Sequence, residues 1–151
     1  MPWVIEPSKY YGEKYANVII YSGLDKHDNT EIIKEYVLPN DVWFHADKNE
    51  HSAHVYLRIP GLKKLQDIPP ELLNLTLIYF RRLHIKDRFD HKVINIMYTF
   101  AKNVKPTEED GKVIVDLKAE TLRTSGLHPK SYGINNETLV VMFNKSHMKT
   151  L

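Results

Sequence analysis

Two runs of strict alternation stand out near the middle of the chain. In residues 41–47 (DVWFHAD), Val42, Phe44 and Ala46 share one side of an extended strand, and Trp43 and His45 share the other. In residues 52–58 (SAHVYLR), Ala53, Val55 and Leu57 oppose His54, Tyr56 and Arg58 in the same way. The polar stretch KNEH between them is a turn, so the pair predicts a hairpin. One side is apolar enough for a core. The other carries Trp, two His, Tyr and Arg, too aromatic and too rich in hydrogen-bonding groups for an ordinary wet face. It reads as a binding face, against the alternative that Trp43 and Tyr56 are buried under a helix or the chain termini.

Other periodicities frame this hairpin. Residues 15–22 (YANVIIYS) read as a strand with a buried centre, followed by a Gly-, Asp- and Asn-rich turn. Asp28 or Asn29 is the expected cap of a short helix over about 29–36. The main helix is predicted over about 69–85, with prolines in its first turn and apolar residues around much of its circumference. Residues 92–100 read as a strand, 101–111 as a loop closing on Gly111, and 112–117 as a short strand. The rest is mostly irregular apart from an apolar run at 138–143. The pattern predicts an α+β fold, with a mainly antiparallel sheet and one dominant helix, in a single domain over 1–151.

Composition narrows the chemistry. A chain of 151 residues without cysteine has room for a real core, and has neither disulfides nor thiolate metal sites. No apolar run reaches membrane-spanning or signal-peptide length, so a soluble cytoplasmic protein is expected, with the sequons at Asn74 and Asn136 as chance matches. Net charge is only +2. Residues 81–105, however, hold seven basic and two acidic side chains: Arg81, Arg82, Lys86, Arg88, Lys92, Lys102 and Lys105 against Asp87 and Asp90. Such a run suits phosphate binding as well as it suits a solvated helix end complementing the helix dipole.

Catalytic signatures are weak. His45, His51, His54 and Asp47 make a poor zinc set, because the spacing from His51 to His54 serves a helix better than a hairpin. Asp41, His45 and Ser52 lack the strand–turn–helix context of a nucleophile elbow. No phosphate-binding glycine loop is present. No metal, cofactor or catalytic residue is therefore expected. The remaining chemistry is that of nucleic-acid binding, with aromatic faces for bases and basic side chains for phosphates.

The same residues carry a family resemblance. DVWFH (41–45) followed by SAHVYLR (52–58) resembles the signature of the NFACT-R domain. GLDKHDNTEIIK (23–34), DIPPELL (67–73), YTFAKNVK (98–105) and GKVIV (111–115) follow that family's order. The resemblance covers about residues 17–115; residues 116–151 match no block of it, and FRRLHIKDRFDHK (80–92) is more charged than its pattern. It implies a compact binding domain tied to ribosomes and tRNA. The form without a charged coiled-coil tail is similar to the stand-alone dormancy-factor branch known from microsporidia. That likeness implies docking on small-subunit rRNA and proteins at the E site, exclusion of deacylated tRNA and an inactive ribosome. Trp43, His45, His54, Tyr56 and Arg58 would then form the family surface, with Arg81, Arg82, Lys86, Arg88, Lys92, Lys102 and Lys105 neutralising phosphates.

Overall fold

The computed structural model describes residues 3–23, 25–47, 52–83, 94–116, 118–126 and 149–150. The fold is α+β. An antiparallel sheet runs in the order β8-β5-β3-β4-β2-β1-β9, built from Trp3–Ile5 (β1), Ile19–Ser22 (β2), Val42–Ala46 (β3), Val55–Arg58 (β4), Ile94–Phe100 (β5), Leu122–Gly126 (β8) and Lys149–Thr150 (β9). A separate two-stranded ribbon pairs Val104–Pro106 (β6) with Val113–Val115 (β7). The helices are Ser8–Tyr11 (α1), Lys26–Glu35 (α2) and Pro70–Leu83 (α3).

The predicted hairpin forms, with Val42 opposite Leu57, Trp43 opposite Tyr56 and Phe44 opposite Val55. Its alternation sorts residues between two cores, not between core and solvent. Phe44, Ala46, Val55 and Leu57 pack with α3 residues such as Leu72, Leu75 and Phe80. On the opposite face, Trp43 and Tyr56 pack with Val4, Tyr21 and Ile32 of α2, and with Val104, Val113 and Val115 of the ribbon. The sheet is therefore the middle of three layers.

Local chemistry explains the covering elements. The α3 helix buries most of its circumference, and Thr76 satisfies its hydroxyl on the Leu72 carbonyl at 2.7 Å. The cap of α2 is Asp25, whose Oδ1 accepts from the Asp28 N–H at 2.8 Å. This corrects the expected cap at Asp28 or Asn29. The helix starts a turn earlier because Asp28 and Asn29 are themselves buried within it. Asn29 folds its side chain over Gly23, where an added Cβ would meet Oδ1 at 2.2 Å. Gly111, at φ +80°, gives its N–H to Thr30 Oγ1 at 2.7 Å and pins the ribbon's turn against α2.

Four short strands escape the sequence pattern: β1, β6, β8 and the two-residue β9. The first two have three residues each, and β8 falls in a stretch expected to be irregular. The first predicted strand is shorter than expected, because Glu13–Tyr15 forms a single 3-10 turn before it. The apolar run at 138–143 lies outside the described residues.

Candidate nucleic-acid interface

The hairpin's aromatic side is closed. Trp43 and Tyr56 are each 1% exposed and His54 is 2% exposed. Trp43 Nε1 donates to His54 Nδ1 at 3.2 Å, which fixes the neutral imidazole with Nδ1 as acceptor. Burial, and then the proximity of His45, push the His54 pKa down to about 3 against the pull of a backbone hydrogen bond to Gly111. His45, half-buried, stacks on Trp43 at 5.1 Å between centroids and engages the Ala46 carbonyl through Nδ1 at 2.8 Å. Tyr56 stacks on Tyr21 at 4.9 Å. The expectation that Trp43, His54 and Tyr56 form an exposed surface is therefore corrected. The alternation is real, but α2 and the ribbon cover that side.

Arg58 is also committed inward. Its guanidinium pairs with the buried Asp41 carboxylate, Nη2 to Oδ2 at 2.8 Å and Nε to Oδ1 at 2.9 Å. Nη2 also donates to the Tyr36 carbonyl at 3.1 Å, and the guanidinium lies 4.7 Å from the Tyr36 ring centroid. Asp41 Oδ2 accepts in addition from the Tyr21 hydroxyl and, at 3.0 Å, from the Leu38 N–H. Burial and this carboxylate push the Tyr21 phenol far above its usual range. The pair ties the C-terminal end of α2 and the following loop to the sheet, so Arg58 is a strut and not a phosphate ligand. Paired and hydrogen-bonded in this way, the buried Asp41 carboxylate and the part-buried Arg58 guanidinium satisfy each other, and removing either leaves the other without its charge partner.

The basic run divides. Arg81 is 5% exposed and turned into the fold, which corrects its assignment as a phosphate contact. The Arg82 side chain, Lys86, Arg88 and Lys92 lie outside the described residues. Lys102 and Lys105 are exposed, with Lys102 Nζ 5.2 Å from the Phe100 ring centroid.

Lys102 leads to a surface that no single stretch of sequence displays. Its N–H donates to the Pro39 carbonyl at 3.0 Å, and the Ala101 N–H to the Asp41 carbonyl at 2.7 Å. Asn40 Nδ2 reaches the Leu62 carbonyl at 2.9 Å, bringing in the loop that holds Lys63 and Lys64. Three connections thus meet at one end of the sheet: α2 to β3, β4 to α3, and β5 to β6. Lys63, Lys64 and Lys102 are exposed on these connections, and Lys34 in the last turn of α2 and Lys105 in β6 are exposed on the elements that adjoin them. Across residues 34–41, 58–64 and 101–105 there are six basic and two acidic side chains, and one opposite-charge pair of these is the internal Arg58–Asp41 bridge. Asp67 and Glu120, the latter joined to Gln66 at 3.1 Å, form an acidic border. Lys34, Lys63 and Lys64 escape a reading of the sequence because they lie far apart from the run at 81–105. The Lys-Lys pair after Pro60-Gly61 is the signal that could have found two of them.

The other constellations do not assemble. Ser52 Oγ accepts from the Ala46 N–H and donates to the Ala53 carbonyl, each at 2.9 Å, closing the hairpin end. Asp41 is bound to Arg58 at the opposite end of β3, out of reach of any triad with it. Among the described residues no three His, Asp or Glu side chains converge as a metal site, and His51 lies outside them.

The fold and this lysine-bearing rim define a small α+β domain with a surface suited to nucleic-acid backbone. The family model described as "NFACT protein RNA binding domain" matches residues 8–116, and the chain belongs to that family. Coiled-coil domain-containing protein 25 of Mus musculus is 39% identical over 90 residues, covering 60% of this chain and 42% of that protein. The Dictyostelium discoideum homologue of that protein is 34% identical over 119 residues, covering 78% of this chain and 56% of its own. The chain thus spans about half the length of these curated relatives. A solved structure, the C-terminal part of the fibronectin/fibrinogen-binding protein from Streptococcus suis, shares the fold at a TM-score of 0.54 and 20% identity, covering 83% of this chain and 45% of that one.

Proposed function

We propose that this domain is a non-catalytic, cytoplasmic ribosome-binding protein. It docks on small-subunit rRNA at or near the E site, keeps deacylated tRNA out and holds the ribosome inactive. Membership of an RNA-binding family supports the nucleic-acid half of this reading. The observation that carries it further is the rim itself, where three connections are hydrogen-bonded together at one end of the sheet and two of them present exposed lysines, Lys63 and Lys64 on one and Lys102 on the other. Lys102 and Lys105 belong to it, Lys34, Lys63 and Lys64 join it, and Arg82, Lys86, Arg88 and Lys92 are proposed as further phosphate contacts. β8 and β9 hydrogen-bond into the same sheet as the family-matched strands, which supports reading residues 1–151 as one domain. Among the described residues no helix is long and apolar enough to cross a membrane.

Sucrose-gradient sedimentation of native lysates from dormant and growing cells tests the ribosomal reading. Co-migration with idle monosomes, enriched in dormancy and stripped by salt, is the expected result. Recovery only at the top of the gradient in both states overturns it and favours a tRNA- or other nucleic-acid-binding module of ribosome quality control.

A further inference from the structure

Beside the lysines of the rim sits an apolar tip that is left out of both cores formed by the described residues. Leu38 is 51% exposed, and Pro39 and Asn40 beside it are exposed as well. An exposed leucine alone means little. This one stands on backbone that is tied down at nearly every residue. The Leu38 N–H is held by Asp41 Oδ2 at 3.0 Å, its carbonyl accepts from the Asp41 N–H at 3.0 Å, the Pro39 carbonyl accepts from Lys102, and the Asn40 side chain is fixed to Leu62. The Arg58–Asp41 pair anchors the assembly from below. A rigid apolar tip loses little entropy when it binds. The same pairing of charge and apolar surface recurs on the neighbouring ribbon, where Ile114 is 64% exposed and lies directly across from Lys105.

We infer that the Leu38–Pro39 tip contacts the face of an unstacked base while the surrounding lysines hold the adjoining phosphates. The rim then selects RNA with splayed bases, in a loop or a bulge, over uninterrupted duplex. The inference rests on the RNA-binding reading of the same rim. Charge complementarity names the occupant: a strand of phosphates suits the lysines, and only a base offers these apolar side chains a partner within reach of them. A continuous A-form helix presents phosphates and 2′-hydroxyls and leaves Leu38 nothing to cover. Leu, Ile and Pro are among the side chains that proteins press against or between bases.

The test uses the full chain and two RNA duplexes that differ only in a central bulge of unpaired nucleotides, with affinities read by fluorescence anisotropy. The bulged RNA is expected to bind roughly fivefold tighter or more. Leu38→Ser abolishes that preference and leaves the salt dependence unchanged, because no charge is removed. Both side chains are exposed, so circular dichroism and Tm stay at the parental values for Leu38→Ser and for the companion Pro39→Ala. Equal affinity of the parent for the two RNAs, or a preference that survives Leu38→Ser, overturns the inference while leaving the lysine rim intact. Binding of neither RNA overturns the rim reading along with it.

Discussion

The Arg58 guanidinium, packed over Tyr21 and Tyr36 and paired with Asp41, stands between two different kinds of surface. Behind it lies the side of the sheet where Trp43, His54 and Tyr56 are closed off by α2 and the β6–β7 ribbon. Ahead of it lies the rim, where Leu38, Lys63, Lys64 and Lys102 stand in solvent. The first has the residue types of a binding face and none of the access. The second has few conspicuous residues and all of the access. Aromatic and hydrogen-bonding side chains at alternating positions are equally good material for a polar-lined core. What separates the two outcomes is whether another element lies on top.

The largest expected effect comes from cutting the tie between these regions. Asp41→Ala strands the Arg58 guanidinium, the Tyr21 hydroxyl and the Leu38 N–H together, and is expected to cost ~3–5 kcal/mol in urea denaturation. A loss below about 1 kcal/mol would mean that water replaces the carboxylate and that the strut is dispensable. Trp43→Phe comes next. It keeps most of the apolar volume but removes the donor to His54 Nδ1, and is expected to cost ~1–3 kcal/mol. If Trp43 instead met RNA, this variant would weaken binding at unchanged stability.

Acid tests the closed region from another side. His54 is held neutral with a pKa of about 3, while the unfolded chain takes up a proton near the ordinary histidine value of 6.5. Between these values the unfolded state binds more protons, so stability falls as pH falls. Its contribution is complete above about 6.5 and is spent near 3. This group alone predicts a stability loss of ~2 kcal/mol between about pH 8 and about pH 5. His54→Gln, which keeps an acceptor for Trp43 without titrating, is expected to flatten that slope. An unchanged slope would place the acid sensitivity elsewhere.

The smallest effect on the fold belongs to the rim. Lys63→Ala, Lys64→Ala and Lys102→Ala combined are expected to move stability by less than ~0.5 kcal/mol, as exposed substitutions do. RNA affinity falls, and the slope of log affinity against log salt drops by about 0.7–0.9 for each phosphate that is no longer neutralised. A slope that does not move would put the RNA elsewhere on the molecule.

Much of this protein was legible in the chain. Period-two alternation in residues 42–46 and 55–58 specified the hairpin and its register, because a one-residue slip would exchange the two cores. The apolar density of 70–83 specified a helix buried on most sides. Gly23 and Gly111 were visible as glycines, but their reasons, the Asn29 side chain and the Lys26 Cβ, are contacts across space. Strands as short as β1 and β6 leave too few positions for a period to show, and they exist because a neighbouring edge accepts their hydrogen bonds.

The candidate site divides along the same line. Lys102 and Lys105 were visible as local charge, while Lys63 and Lys64 come beside Lys102 only through the Pro39–Lys102 and Asn40–Leu62 hydrogen bonds. By itself the sequence determined what alternates, what turns and which family motifs it carries, since these depend on neighbours along the chain. Only the tertiary structure decided that the DVWFH face is core and that a leucine among lysines is surface. Exposure is a property of what packs on top, and that partner comes from another part of the chain.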